Sequence, residues 1–387
     1  MNQHINKIIE YQFLYLTKAY FNQQEYSSQH SVTLRRKLLD NKIHISTTNK
    51  TSNIILNNDE IISKKIIEYV KEKNMKYIQR IKLSNILINN RESDTRNQNY
   101  IQFVKEDNDV IESIIVSPLD RNNDNYLLSE LNFLEYKCMF MKMIKKRNKL
   151  SEKKYIENIL MLKTSGAVLF HEMICHAYER DHAVFAQELL EKIKKEKFNE
   201  NLCVYDDNYE YEDICGINNY DDFGNIVRPF YFIENGIPNN DIYDEYYGNM
   251  ISEKLSMYPL PRMRSTKILP YKKGKTSQEI VHEYINRNQN ICFVLDIKYG
   301  TSLYYLSSFD LIGEVIIKKK SRYYYSNDCH IKGDTIPILK SIKNITKDTF
   351  NKIMACGKMG QNVMISIESP SFSISNAYIE GNFYEIE

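Results

Sequence analysis

The stretch "SGAVLFHEMICHAYERD", Ser165–Asp181, decides how the rest of the chain is read. His171 and His176 bracket Glu172, and Glu179 and Asp181 follow closely. The familiar zinc-hydrolase pattern H-E-x-x-H sets its histidines at i and i+4, on one helix face, whereas here the separation is five. On a regular helix that places the two side chains about 140° apart. They converge only on a distorted helix, most simply one with a π-bulge, which returns i and i+5 to one face. The competing reading is an ordinary helix on which Glu172 and His176, at i and i+4, pair on an exposed face. A metal site also needs a third protein ligand. By residue type Cys175, Glu179, Asp181, His182, His330 and Cys356 all qualify, and spacing does not choose among them.

The composition narrows the setting. With 42% hydrophobic and 26% charged residues, the 387-residue chain suits ordered globular structure with a substantial core. Lys and Arg total 52 against 50 acidic residues, so the net charge of +2 leaves no footprint for nucleic acid or an anionic membrane. Peptide, protein or small-molecule partners are expected instead. The opening "MNQHINKIIEYQFLYLTKAYF" lacks the pattern of a signal peptide, and no window reaches eighteen apolar residues. Seven cysteines without regular spacing argue against a disulfide scaffold and for a reducing cytoplasm.

Periodicity predicts an α+β chain: a mixed α/β N-terminal region, residues 1–160, and a mostly antiparallel, β-rich C-terminal domain, residues 161–387. The opening motif would lie on a distorted helix between them. "NKIIEYQFLYLTKAYF" reads as a helix, and "SVTLRRKLL" and "KIHISTT" as short strands. Asp59–Asn74 has helical spacing, and "YIQRIKLSNILINN" and "NYIQFVKEDNDVIESIIVS" read as strands of one sheet, joined by a polar loop at Asn90–Asn99. A second helix, "NYLLSELNFLEYKCMFMKMIKKRNKL", carries Met and aromatic residues at core spacing. "KKYIENILMLK" then reads as a strand entering the motif helix through "TSG", and "VFAQELLEKIKKEK" as a helix beyond it. Asn235-Gly236 marks a tight hairpin and "DDFGN" a turn. Tyr323–Tyr325 beside Lys318–Lys320 reads as a half-solvated strand rather than a base-stacking surface.

Three further stretches follow in order: "YPLPRMRSTKILP" at Tyr258–Pro270, "KTSQEIV" at Lys275–Val281 and "ACGKMGQNV" at Ala355–Val363. Together with "HEMICHAYERD" and "FIENG", they resemble the TldD/PmbA family of zinc peptidases from about Lys153 to Gly381. The resemblance implies one Zn²⁺ per chain, with His171, His176 and Cys356 as ligands and Glu172 as general base. It makes Glu179 and Asp181 candidates for orienting the imidazoles, and places Arg262, Ser265 and Thr266 in a loop near the cleft. It further implies a peptide substrate bound in extended form, and a homodimer or a heterodimer with a paralogous subunit.

The chain departs from the family pattern in a shorter N-terminal region and in three further places. Cys175 stands where the family has glycine before the second histidine, so a thiol could compete as a ligand. "NQNICFVLDIKYGTSLYY" replaces a glycine-rich stretch after the "QEI" region, and the loop after Asp181 is shortened. Three functions follow from these observations. The first is a peptidase; the second is a catalytically inactive peptide-binding subunit of such a dimer. The third is a structural zinc site closed by a fourth protein ligand such as Cys175.

Overall fold

The computed structural model describes residues 7–21, 24–39, 42–48, 63–88, 91–107, 110–116, 124–144, 149–206, 221–223, 225–227, 229–239, 248–253, 257–287 and 289–386. The N-terminal part holds β1 (Lys7–Phe21), β2 (Gln24–Leu39), β3 (Lys42–Thr48), α1 (Lys64–Glu72), β4 (Lys76–Ile88), β5 (Arg91–Asp107), β6 (Val110–Val116) and α2 (Asp124–Ile144). The strands form one antiparallel sheet in the order β3-β2-β1-β4-β5-β6.

Two expectations fail here. The first apolar run is not a helix but β1, paired along its length with both β2 and β4. Short apolar runs do not separate helix from strand by period alone, and the many Tyr, Phe and Ile residues favour the pleated state. The expected loop at Asn90–Asn99 is also strand from Arg91 onward, with Ile88 opposite Arg91. Ladder hydrogen bonds use backbone groups, so polar side chains do not stop a strand. The expected helix at Asp59–Asn74 forms over Lys64–Glu72, capped by the Ser63 hydroxyl accepting from the Ile66 N–H at 3.3 Å. Residues 59–62, 145–148 and Gly224 of the "DDFGN" turn lie outside the described residues.

Ile66 and Val70 of α1, Leu131 and Leu134 of α2, and Tyr77 and Phe103 of the sheet make one buried cluster. The far end of α2 serves a different cluster. There Cys138, Met141 and Ile144 pack with Tyr325 of the C-terminal part. Lys137 reaches Glu112 at 3.2 Å and also pairs with Glu314.

The chain continues through β7 (Lys149–Ile156), β8 (Ile159–Met161), α3 (Ser165–Met173), α4 (Ala183–Ile193), β9 (Val204–Asp206), β10 (Phe230–Glu234) and β11 (Ile237–Pro238). After these come β12 (Asn249–Ile251), β13 (Leu260–Arg262), β14 (Ser265–Ile268), α5 (Ser277–Asn286), β15 (Ile291–Leu303), β16 (Ser308–Lys319) and β17 (Arg322–Asp334). The last elements are α6 (Thr335–Ser341), β18 (Thr349–Lys358), β19 (Gln361–Pro370), β20 (Phe372–Ile374) and β21 (Ala377–Ile386). Seven strands form a sheet ordered β20-β8-β15-β16-β17-β21-β7, six form a second ordered β11-β10-β9-β14-β19-β18, and β12 pairs with β13. Both large sheets are mainly antiparallel, with β15/β8 and β14/β19 as parallel pairs. The expected boundary at residue 160 falls inside β8, and both β8 and β7, which precedes it, hydrogen-bond within the seven-stranded sheet.

Helix α3 packs against β15 and β16 of one sheet and β14 and β19 of the other. A helix between two sheets must be apolar on every side, and every residue of α3 is buried except the half-buried Glu172. Gly166 permits the close approach: a Cβ there would stand 2.3 Å from the Phe372 ring and 2.5 Å from Ser369 Oγ. Phe372 meets Phe170 edge-on at 6.0 Å, a favoured aromatic geometry. The "KTSQEIV" stretch starts α5 with a capping box, in which Thr276 and Glu279 each bond the other's backbone N–H.

Candidate metal centre

The last turn of α3 delivers His171, and the helix stops at Met173. Ile174, at φ −135° and ψ −36°, leaves helical geometry, and Cys175–Tyr178 form a 3₁₀ turn. The expected distortion is therefore present in another form. The helix breaks and tightens instead of widening into a π-bulge, and the offset between the two pieces restores convergence. The His171 and His176 rings meet edge-on, 4.4 Å between centres.

His171 Nδ1 lies 2.8 Å from Thr266 Oγ1, and His176 Nδ1 lies 2.8 Å from Glu179 Oε2. With each Nδ1–H donated to an oxygen, a neutral ring presents its Nε2 as a bare acceptor. His176 Nε2 sits 3.6 Å from Cys356 Sγ. One donor atom each from His171, His176 and Cys356 lie within 4.8 Å of one another, and all three residues are buried. His171 Nε2 is buried with no hydrogen-bond partner. A buried bare nitrogen normally finds a donor, so its isolation beside an imidazole and a thiol fits a metal ion of the zinc type. Burial, and then the neighbouring His176, hold the His171 pKa well below the usual imidazole range. For His176 burial acts downward too, but Glu179 and Cys356 outweigh it and carry the pKa well above that range.

Cys356 comes from β18, which ends its sheet, and Arg262 fastens that strand from beneath. The fully buried guanidinium donates to the carbonyls of Cys356 (2.6 Å), Lys358 (3.1 Å) and Gln361 (2.9 Å), and lies 3.4 Å from Cys356 Sγ. The arginine thus clamps the tip of the β18–β19 hairpin and places a cation beside the sulfur.

Glu179 is the hub behind the histidines. Oε2 takes His176 Nδ1–H and the Lys358 ammonium at 2.7 Å, while Oε1 accepts the Met263 N–H at 3.1 Å. Burial pushes the carboxyl up, but His176 and Lys358 win and hold it at about 2. Asp181, expected to orient an imidazole, instead accepts from Lys358 at 2.6 Å. Its carboxylate therefore acts on the lysine. Cys175 is fully buried in the main core and is not among the converging donors of the described residues. Burial raises its thiol pKa well above the usual value, with Asp206, Glu179 and Glu172 adding to the effect. His330 is occupied elsewhere, with its Nδ1 2.9 Å from Asp310. His176, Glu179 and His182 also approach one another, but the Lys358 ammonium already neutralises that carboxylate and would repel a second cation.

Glu172 faces a cleft of about 350 Å³, whose walls include His176, Cys356, His182, Gly300 and Tyr304. Ser302 donates its hydroxyl to the Glu172 backbone carbonyl. Burial pushes the Glu172 carboxyl up to about 7, with His176 opposing. Gly300 makes room for this side chain: a Cβ would stand 2.7 Å from Glu172 Cγ and 2.4 Å from Leu311 Cδ2. Sequence reading missed Lys358, Gly300, Ser302 and Tyr304. The one available signal was a lone glycine inside the strand-like "DIKYGTSLYY", which marks close backbone approach.

The family model for the PmbA/TldA metallopeptidase C-terminal domain matches residues 153–381. The metalloprotease TldD homolog of Buchnera aphidicola subsp. Schizaphis graminum (strain Sg) is 25% identical over 229 residues, which are 55% of this chain and 46% of that protein. The chain thus spans less than half of that relative's length. The fold is similar to the crystal structure of TldE from Thermococcus kodakarensis, with a TM-score of 0.60 at 12% identity over 97% of this chain and 96% of that one. With well over half of its length matched by the family model, the chain belongs to the TldD/PmbA family of metallopeptidases.

Proposed function

We propose that this chain is a zinc-dependent peptidase that hydrolyses peptide bonds of unfolded or modified peptides. The observation that carries the reading is the partnerless His171 Nε2, converging with His176 and Cys356 next to a carboxylate that faces an open cleft. A zinc ion held by His171, His176 and Cys356 supplies Lewis acidity, polarising the scissile carbonyl and acidifying water. Glu172 is the general base: its carboxylate takes the proton of the attacking water and passes it to the leaving amine nitrogen. Thr266 and Glu179 hold the two imidazoles in the tautomer whose Nε2 is bare.

The walls favour an extended substrate. Met354–Lys358 of β18 and Tyr299–Ser302 of β15 border the cleft, and β18 pairs only with β19 among the described strands. A peptide adding to that free edge would be held through its backbone, which suits unfolded chains of varied sequence. We place the enzyme in the cytoplasm, in keeping with six free cysteines among the described residues and no described helix long and apolar enough to cross a membrane. A dimer, with a copy or a paralogue, would cover the exposed Phe133, Tyr136, Met139 and Met143 of α2.

Metal analysis and cleavage assays test the reading together. The wild type should hold about one zinc per chain, and Cys356→Ser should lose it. Glu172→Gln should keep zinc and abolish cleavage of an unfolded protein such as β-casein. A wild type that holds zinc, binds peptide and cleaves nothing would give the function to the inactive binding subunit instead.

A further inference from the structure

Two residues in the cleft wall have no part in the donor set or in Glu172's role. His182 stands at the head of α4, one residue past Asp181, and its ring centre is 5.7 Å from that of His176. The N–H groups of His182 and Ala183 both donate to the Glu179 carbonyl at 2.8 Å, so the chain turns into α4 with no intervening loop. That short connection brings His182, the N-cap residue of the helix, into the cleft. Tyr304 arrives from the 3₁₀ turn Tyr304–Leu306 between β15 and β16, and its hydroxyl lies 3.3 Å from His182 Nδ1.

His182 Nδ1 also lies 3.9 Å from Glu179 Oε2, and the direction of the Tyr304 contact sets what the other ring nitrogen can do. When Tyr304 donates to Nδ1, the neutral imidazole carries its hydrogen on Nε2, and the charged ring carries one there too. Nε2–H is then free for a group bound in the cleft. Peptide hydrolysis develops negative charge on the scissile carbonyl oxygen, and a fixed donor aimed there lowers the barrier. The strongest donor nearby is already used, since the Lys358 ammonium bonds Glu179, Asp181 and the Pro261 carbonyl. Ser302 is likewise spent on the carbonyl of Glu172.

We infer that His182 is a catalytic residue that donates from Nε2 to the scissile carbonyl oxygen, and that Tyr304 is its positioning residue. The inference rests on the metallopeptidase reading above.

The test compares zinc-loaded wild type with His182→Phe, Tyr304→Phe and the double variant. Zinc content, kinetics on β-casein, and affinity for a phosphonamidate tripeptide and its amide parent are measured for each. In His182→Phe, kcat should fall about 100-fold, with zinc content and KM unchanged. Phosphonamidate affinity should fall by a similar factor while the parent amide binds as before. Tyr304→Phe should lower kcat about tenfold and add nothing to the loss in the double variant, as expected of two residues acting through one hydrogen bond. A His182→Phe kcat within threefold of wild type, loss of zinc, or additive losses in the double variant would each overturn the assignment. If the wild type holds zinc but cleaves nothing, the peptidase reading falls. The catalytic role of His182 falls with it, whatever the phosphonamidate affinities. A wild type that takes up no zinc overturns both.

Discussion

Replacing Lys358 with Met removes one of the two cations that balance the buried Glu179 carboxylate. Lys358 Nζ stands 2.7 Å from Glu179 Oε2, 2.6 Å from Asp181 Oδ1 and 2.9 Å from the Pro261 carbonyl. The lysine side chain is 3% exposed and that of Glu179 is fully buried. Methionine preserves the packing of the stem but leaves the carboxylate with His176, the Met263 N–H and, at 3.9 Å, His182 Nδ1. Breaking one half of a buried pair costs about 3–5 kcal/mol, most of it from the charge left behind. Asp181 is about one-third exposed and rehydrates, so its share is small. For a cooperative unit of this size, roughly 2–4 °C per kcal/mol puts the fall in melting temperature on the order of 10 °C. The assay is thermal and urea unfolding of the zinc-free protein, which keeps metal affinity out of the comparison. Adding Glu179→Gln removes the stranded charge, so the double variant should recover at least half of the loss. A Lys358→Met protein within 1 kcal/mol of wild type, or a double variant no better than the single, would refute the hub described for Glu179.

Three shorter predictions accompany it. Thr266→Val removes the acceptor for His171 Nδ1–H and should weaken zinc binding by roughly 10–100-fold, read by competition with a chromophoric chelator. Gly300→Ala drives a methyl group into Glu172 and Leu311; zinc content should hold while peptide cleavage falls on the order of 100-fold. Cys175→Ala should leave zinc stoichiometry unchanged and cost about 1–2 kcal/mol in urea unfolding, because its sulfur packs in the core instead of facing the donors.

The sequence carried the donor set further than it carried the surroundings. His171, Glu172 and His176 announce themselves by type and spacing, and the "CGKMGQ" string attaches Cys356 to them. The helical distortion was required by the five-residue separation, but its kind was not. A helix break followed by a 3₁₀ turn and a π-bulge satisfy the same spacing, and the structure adopts the first. Asp181 was misread because acidity near a histidine suggests an imidazole partner. Its actual partner, Lys358, lies 177 residues away in the chain. In the N-terminal sheet, β1 and the start of β5 were misread for a shared reason. Side-chain polarity and apolar period describe faces, whereas a strand is secured by backbone ladders, on both edges for β1 and on the β4 edge for the start of β5.

The clamp that Arg262 places on the β18–β19 hairpin also bears on how the chain is made. Cys356 lies 180 residues beyond His176 and Arg262 lies 94 residues before Cys356, so the donors meet only when β18 and β19 close over the arginine. Synthesis runs from the N-terminus, and the two histidines leave the ribosome well before the cysteine. A growing chain therefore lacks a complete site until Cys356 has emerged. On the peptidase reading proposed above, hydrolytic power would be withheld from the partly folded polypeptide that is its nearest unfolded target.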